Sequence, residues 1–207
     1  AGLGGDDGAF EARYGLFPQY FADDYDRDVL LDGLGSEWYG TKITFKPWPC
    51  AGHTHLFLTA IAQLANEEPI NVGEIARITL VGGSDLLQKQ CEPKSERTAP
   101  ARSIDAKISL PFLVAKYLKN GTVALADFVG EGLRDKDAIA LAQKVGWRHD
   151  PALGRAGEGF GPGIVEILFT NGMTRTARAE AGLGSPNNPL TWNQIVSKFY
   201  DCIDAAA

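Results

Sequence analysis

Cysteine is scarce in this sequence and poorly spaced for bridging. Cys50, Cys91 and Cys202 are odd in number, lie far apart and form no CxxC pair. Neither a disulfide framework nor a zinc site is expected, and free thiols fit a reducing, cytoplasmic setting. A basic cluster is also missing. Lys and Arg are scattered through a chain of net charge −6, which argues against a nucleic-acid partner. No apolar run approaches the length of a membrane span, so no membrane partner is expected. The N-terminus has no basic stretch followed by an apolar one, and no signal peptide is expected. Internal repeats and low-complexity tracts are absent.

What is there suits a globular protein. The 207 residues are 44% hydrophobic, enough to bury a core without disulfides or metal. The chain opens "AGLGGDDG" without a methionine and closes "DCIDAAA" inside an apparent helix, as a piece of a longer protein would.

Periodicity outlines the elements. Residues 9–21 are aromatic-rich, broken by Gly15 and Pro18, and read as short helical turns needing a partner surface. A short helix is predicted over 26–33. "YGTKITFKP" alternates, with Ile43 and Phe45 on one face, as a strand would. "HTHLFLTAIAQLANEE" has Leu58, Ile61, Ala62 and Ala65 at helical spacing, with Pro69 beyond its end. "EIARITLVGG" reads as the next strand. Residues 84–103 look irregular. "SIDAKISLPFLVAKYLKNG" reads as a helix that Pro111 must kink or restart. Shorter helices are predicted at 123–130 and 135–144, with Asp135 as a cap, and a strand at 144–149. Asn171-Gly172 between two β-rich runs predicts a type I′ hairpin. The last helix carries Ile195, Val196, Phe199 and Ile203 behind Thr191 as N-cap. The expected fold is α+β, with a mostly antiparallel sheet and helices packed on one face.

The chemistry concentrates in "FKPWPCAGHTH", residues 45–55. Pro47 and Pro49 keep the backbone extended, so Lys46 ends one element while His53 and His55 open the next. An ammonium, two imidazoles and the unpaired N–H groups of a helix N-terminus would then share one small volume. Such a volume suits a substrate carboxylate and a proton transfer. The competing reading is plain: Lys46 as an exposed end, His53 facing water and His55 as a core histidine. A metal pair is weaker still, because residues two apart do not share a helix face. Cys50 beside His53 invites a thiol-nucleophile reading, which requires a depressed thiol pKa. "GEGFGPG" at 157–163 lacks the strand and helix that a dinucleotide loop needs and reads as a loop. Arg175 and Arg178 on the hairpin are candidates for pairing with substrate carboxylates.

Three stretches occur in a telling order: "LLDGLGSEWYGTKITFKPWPCAGHTH", "ARSIDAKISLPFLVAKYLKNG" and "NGMTRTARAEAGLGSPNNPLTWNQIVSKF". Together they resemble the MmgE/PrpD family. The resemblance implies a chain much shorter than the family's. Residues 1–35 would be linker and short helices contacting a missing N-terminal helical domain. Residues 36–207 would be the smaller α+β domain. It implies a lyase or isomerase acting on a small di- or tricarboxylate, by dehydration, decarboxylation or epimerisation, with neither metal nor organic cofactor. A homo-oligomer is also implied, and this chain alone would be nearly inactive. The family's "K-P-Y-P-C-C-x-x-T-H" pattern places its lysine on Lys46 and its last histidine on His55. Its "S-L-P-Y" aromatic falls on Phe112, which lacks the hydroxyl. Ala51 replaces the second cysteine, and His53 is an extra histidine. The catalytic candidates are Lys46, His55 and His53, and the substrate-binding candidates are Phe112, Lys107 and Arg175. An apolar patch around Phe10, Tyr14, Phe17 and Tyr20 would serve self-association. The alternative is a non-catalytic binding or dimerisation module on the same fold.

Overall fold

Pro69 cannot continue a helix, and the apolar run that starts after the "PWPCAG" turn stops just short of it. In the computed structural model, which describes residues 4–5, 7–22, 24–154 and 160–205, this run forms a 14-residue helix, Thr54–Glu67. The elements in chain order are α1 (Leu16–Phe21), α2 (Arg27–Leu31), α3 (Thr54–Glu67), β1 (Ile75–Gly82), α4 (Leu86–Cys91), α5 (Lys94–Thr98), α6 (Ser103–Lys107), α7 (Leu110–Asn120), α8 (Gly130–Leu133), α9 (Lys136–Ala142), β2 (Val145–His149), β3 (Gly163–Phe169), β4 (Thr174–Ala179) and α10 (Trp192–Asp204). They fall into two units, Ala1–Thr41 and Lys42–Ala207.

In the first unit Phe17 is buried, with the rings of Phe10, Phe21 and Tyr25 around it at 4.5–6.4 Å. Phe10, Tyr14 and Tyr20 are exposed. Of the expected aromatic patch, only Phe17 turns inward.

The second unit is α+β. Its four strands run in the order β2-β1-β3-β4. The β1–β3 and β3–β4 pairs are antiparallel and β1–β2 is parallel, so the sheet is mostly antiparallel. Alternation sets its two faces. Ile78, Leu80, Val145, Val165 and Ile167 are buried, whereas Arg148 and Glu166 form a 3.1 Å ion pair on the opposite face. Helix α3 packs on β3 and β4 and against α7, which packs on α9. Residues Thr54 to Ile61 are all buried, so α3 is a core helix rather than a surface one.

Several sequence expectations change. Residues 43–46 are not a strand. Tyr39–Lys42 is a 3₁₀ turn, and Ile43 and Phe45 are exposed. A strand needs a ladder, but this segment makes one bond, from Phe45 N–H to the Gly184 carbonyl at 2.9 Å. Residues 84–103 hold α4, α5 and the start of α6 rather than irregular chain. The hairpin turn is not type I′, which needs positive φ at both central residues. Gly172 alone is left-handed, at φ 85°, and its N–H bonds to the Phe169 carbonyl at 3.0 Å. That is a three-residue loop closed by a glycine bulge. Pro111 restarts the helix: Ser109 Oγ accepts from Phe112 N–H at 3.3 Å as the N-cap of α7, and Pro111 falls in the first turn, where it costs no backbone bond. Asp135 and Thr191 cap α9 and α10 as their positions predict. The "GEGFGPG" stretch is described only from Phe160 on; residues 155–159 lie outside the described residues.

Candidate functional site

The stiff turn at 47–52 is tied to the body of the fold by its backbone. The Ala51 N–H bonds to the Lys107 carbonyl at 2.9 Å. Trp48 is buried, stacked on His55 with centroids 5.5 Å apart and edge-on to Tyr117 at 5.5 Å. This fixes where Lys46 leaves the turn and where α3 begins. A cavity of about 300 Å³ lies beside the turn, and both Lys46 and His55 line it. Its other walls come from Thr44, Phe160 and the loop after β4, through Glu180, Ser185 and Asn187. Gly184 makes the approach of that loop possible. Its φ is 91°, and any side chain there would collide with the Phe45 carbonyl.

Two buried polar atoms stand out at this cavity. Among the described residues, His55 Nδ1 and Ser185 Oγ are the buried side-chain polar atoms without a hydrogen-bond partner, and both residues line this cavity. Buried polar groups are normally paired. Lys46 is exposed and has no ion-pair partner among the described residues.

Electrostatics hold His55 neutral at pH 7. Its side chain is buried, and burial lowers its pKa to about 4; Lys46 and Lys198 push the same way, while a hydrogen bond with the Cys50 backbone opposes them. Cys50 Sγ lies 3.6 Å from His55 Nε2 and 3.0 Å from Thr54 Oγ1, which is also 2.6 Å from the Ala51 carbonyl. Burial pushes the Cys50 thiol up to about 11, and the Thr54 contact and the two lysines only partly offset it. A depressed thiol pKa, required by the nucleophile reading, is therefore contradicted.

The remaining candidates sit elsewhere. His53 is buried with Nδ1 2.6 Å from Gln90 Oε1, edge-on to Phe57 and Phe160. It lies two positions before His55, where the side chains do not share a helix face, and it does not line the cavity. Phe112 lies in the core, fully buried. Lys107 places its ammonium 5.6 Å from the Phe128 ring. Arg175 donates to the Glu68 carbonyl at 3.1 Å and to the Leu64 carbonyl, closing the C-terminal end of α3. None of these three lines the cavity. The helix N-terminus also differs from expectation. The N–H groups of Thr54, His55 and Leu56 bond to the carbonyls of Ala51, Gly52 and His53 at 3.2–3.3 Å, so they are not free for an anion. Glu180, Ser185 and Asn187 were missed. The nearest signal was the third motif stretch, "AEAGLGSPNNP", whose close-spaced glycines mark a loop that approaches other backbone.

Among the described residues, no three His, Cys, Asp or Glu side chains converge as a metal site. No helix among them is long and apolar enough to cross a membrane. A larger cleft of about 410 Å³ lies between α3 and α10, lined by Trp48, Tyr117, amides and Lys198, and holds no histidine.

The fold and this cavity can be set beside known proteins. The profile described as the MmgE/PrpD C-terminal domain matches residues 48–207. The chain belongs to the MmgE/PrpD family. It is 27% identical over 204 residues to cis-aconitate decarboxylase from Aspergillus terreus strain NIH 2624 / FGSC A1156. A second cis-aconitate decarboxylase from Aspergillus terreus is 26% identical over 204 residues. Each comparison covers 93% of this chain, and the chain spans 41% of the length of these curated relatives.

Proposed function

We propose that this chain is part of a cofactor-independent lyase or isomerase that acts on a small di- or tricarboxylate by proton transfer next to a carboxylate. The observation that carries the reading is the cavity where an ammonium without an ion-pair partner among the described residues meets two buried polar atoms without hydrogen bonds, His55 Nδ1 and Ser185 Oγ. Its volume suits a small acid rather than a dinucleotide. Lys46 would hold a carboxylate and offset the charge that develops on an enolate-like intermediate. His55, neutral at pH 7, would accept or return the proton. Ser185 would donate to a substrate oxygen. Among dehydration, decarboxylation and epimerisation, the name of the two curated relatives favours decarboxylation, hence a lyase. Further catalytic groups, a homo-oligomeric assembly and a cytoplasmic setting belong to the same proposal.

The test is solvent deuterium exchange into citrate-like and aspartate-like acids, run on this chain and on the longest natural polypeptide that contains it. Lys46→Ala is expected to abolish exchange while leaving the circular dichroism spectrum unchanged. Exchange at the parental rate in that variant would sink the assignment.

A non-catalytic dimerisation module is the second reading. His53 turned into the core favours it, as does the exposed apolar face of α10, formed by Trp192, Ile195, Phe199, Tyr200 and Ile203. That reading predicts no exchange in either protein and a dimer that dissociates on dilution.

A further inference from the structure

The proton count around Thr54 decides which nitrogen of His55 is free. Thr54 carries one hydroxyl proton but makes two contacts. One is with the Ala51 carbonyl oxygen at 2.6 Å and the other with Cys50 Sγ at 3.0 Å. A carbonyl oxygen only accepts, so the shorter contact takes the Thr54 proton. The threonine oxygen is then left to accept, and the proton on its second contact is assigned to the Cys50 S–H. The thiol keeps that proton at neutral pH, because burial holds its pKa near 11. With its own hydrogen committed to Thr54, Cys50 Sγ can meet His55 Nε2 at 3.6 Å only as an acceptor.

We infer that Thr54 and Cys50 are positioning residues that fix His55 as its Nε2–H tautomer, leaving the lone pair on Nδ1. The chain of donors runs from His55 Nε2–H to Cys50 Sγ, from Cys50 S–H to Thr54 Oγ1, and from Thr54 O–H to the Ala51 carbonyl. The unpartnered nitrogen of a buried ring that lines the Lys46 cavity is thereby a base rather than a donor. Trp48, stacked on the imidazole, keeps the ring from turning away. The other charged groups near the ring are Lys46 and Lys198, which oppose its protonation, and Glu180 on the cavity wall. The catalytic meaning of the tautomer rests on the function proposed above, but the tautomer itself does not.

Nitrogen-15 NMR of the full 207-residue chain, with labelled histidine, reads it directly at pH 7. His55 is assigned by the signals lost in His55→Gln. His53 supplies an internal contrast, because its Nδ1 faces the acceptor oxygen of Gln90 and must carry the proton. The expected spectrum has an unprotonated Nδ1 and a protonated Nε2 on His55. A protonated Nδ1 on His55 in the unaltered protein overturns the relay. In Thr54→Val the Cys50 S–H loses its acceptor and turns to Nε2, so the fraction of His55 with a protonated Nδ1 should rise. An unchanged tautomer in a folded Thr54→Val protein also overturns the relay, and the unaltered protein's spectrum decides the matter alone if that variant does not fold. Loss of the deuterium-exchange result with the tautomer intact would sink the function and not the relay. The reverse combination would sink the relay and not the function.

Discussion

His55 and His53 are two residues apart and both buried, and burial lowers the pKa of each. Their surroundings then divide them, because Gln90 satisfies His53 whereas nothing among the described residues satisfies His55 Nδ1. A histidine held neutral in the native state but free to charge when unfolded makes stability depend on pH. The unfolded chain binds the proton below about pH 6.5, and native His55 does so only near 4. Between those values the unfolded state carries more protons, so stability must fall as pH drops from 6.5 to 4. The full penalty for His55 is of order 3 kcal/mol. Thermal melts across that window should show the decline, and His55→Gln should make it shallower, with His53 keeping its own share; an equally steep decline in the variant would remove His55 as a cause. At this scale Lys46 and His55 were legible because a proline-stiffened turn keeps them close whatever the rest of the chain does. Glu180, Ser185 and Asn187 were not, because well over a hundred residues separate them from Lys46 and only the fold brings them back. His53 lies off the cavity because side chains two apart on a helix diverge, the same geometry that weakens a metal pair there.

At the scale of elements, the segment from α7 to α9 is organised by charge. Lys116 is buried on α7, with its ammonium 3.1 Å from Asp127 and 2.9 Å from Asp135. Lys119 adds a 2.6 Å pair to Asp135. Asp127 accepts from the Ala124 N–H at 2.9 Å, and Asp135 accepts from the Ala138 N–H at 3.2 Å to cap α9. Removing one partner of such a buried network leaves a charge unpaired. Lys116→Ala should cost about 3–5 kcal/mol, read as a drop in the urea midpoint; a loss under about 1 kcal/mol would mean the network is solvated and weak. Burial alone would raise the Asp135 pKa, but Lys119, Lys116 and the Ala138 N–H outweigh it and hold it well below the ordinary carboxylate value. Its contribution is complete above about pH 4 and lost on further acidification, below the window in which His55 acts. The cap at Asp135 and the restart at Pro111 were readable from local rules. The network was not, because it needs three elements packed together. The strand expected over 39–46 failed for the complementary reason. Its alternation was real, but the neighbouring chain at Gly184 offers one hydrogen bond instead of a ladder.

For the whole molecule, the α+β class and the antiparallel bias followed from the spacing of strands and turns, and the family followed from three motifs in order. The partners of the exposed faces did not. The second unit leaves the apolar side of α10 uncovered among the described residues, and the chain spans 41% of its curated relatives. On the function proposed above, further catalytic groups would join the walls described here. The central claim is that Lys46 and His55 face one carboxylate-binding cavity. Its most direct measurement is an NMR titration of cis-aconitate into the longest natural polypeptide containing this chain, following the His55 ring signals in the unaltered protein and in Lys46→Ala. The expected result is a saturable shift of His55 in the unaltered protein and at least about tenfold weaker binding in the variant, the loss of one charge-assisted hydrogen bond. His55 signals that stay in place, or equal affinity in the two proteins, would contradict it.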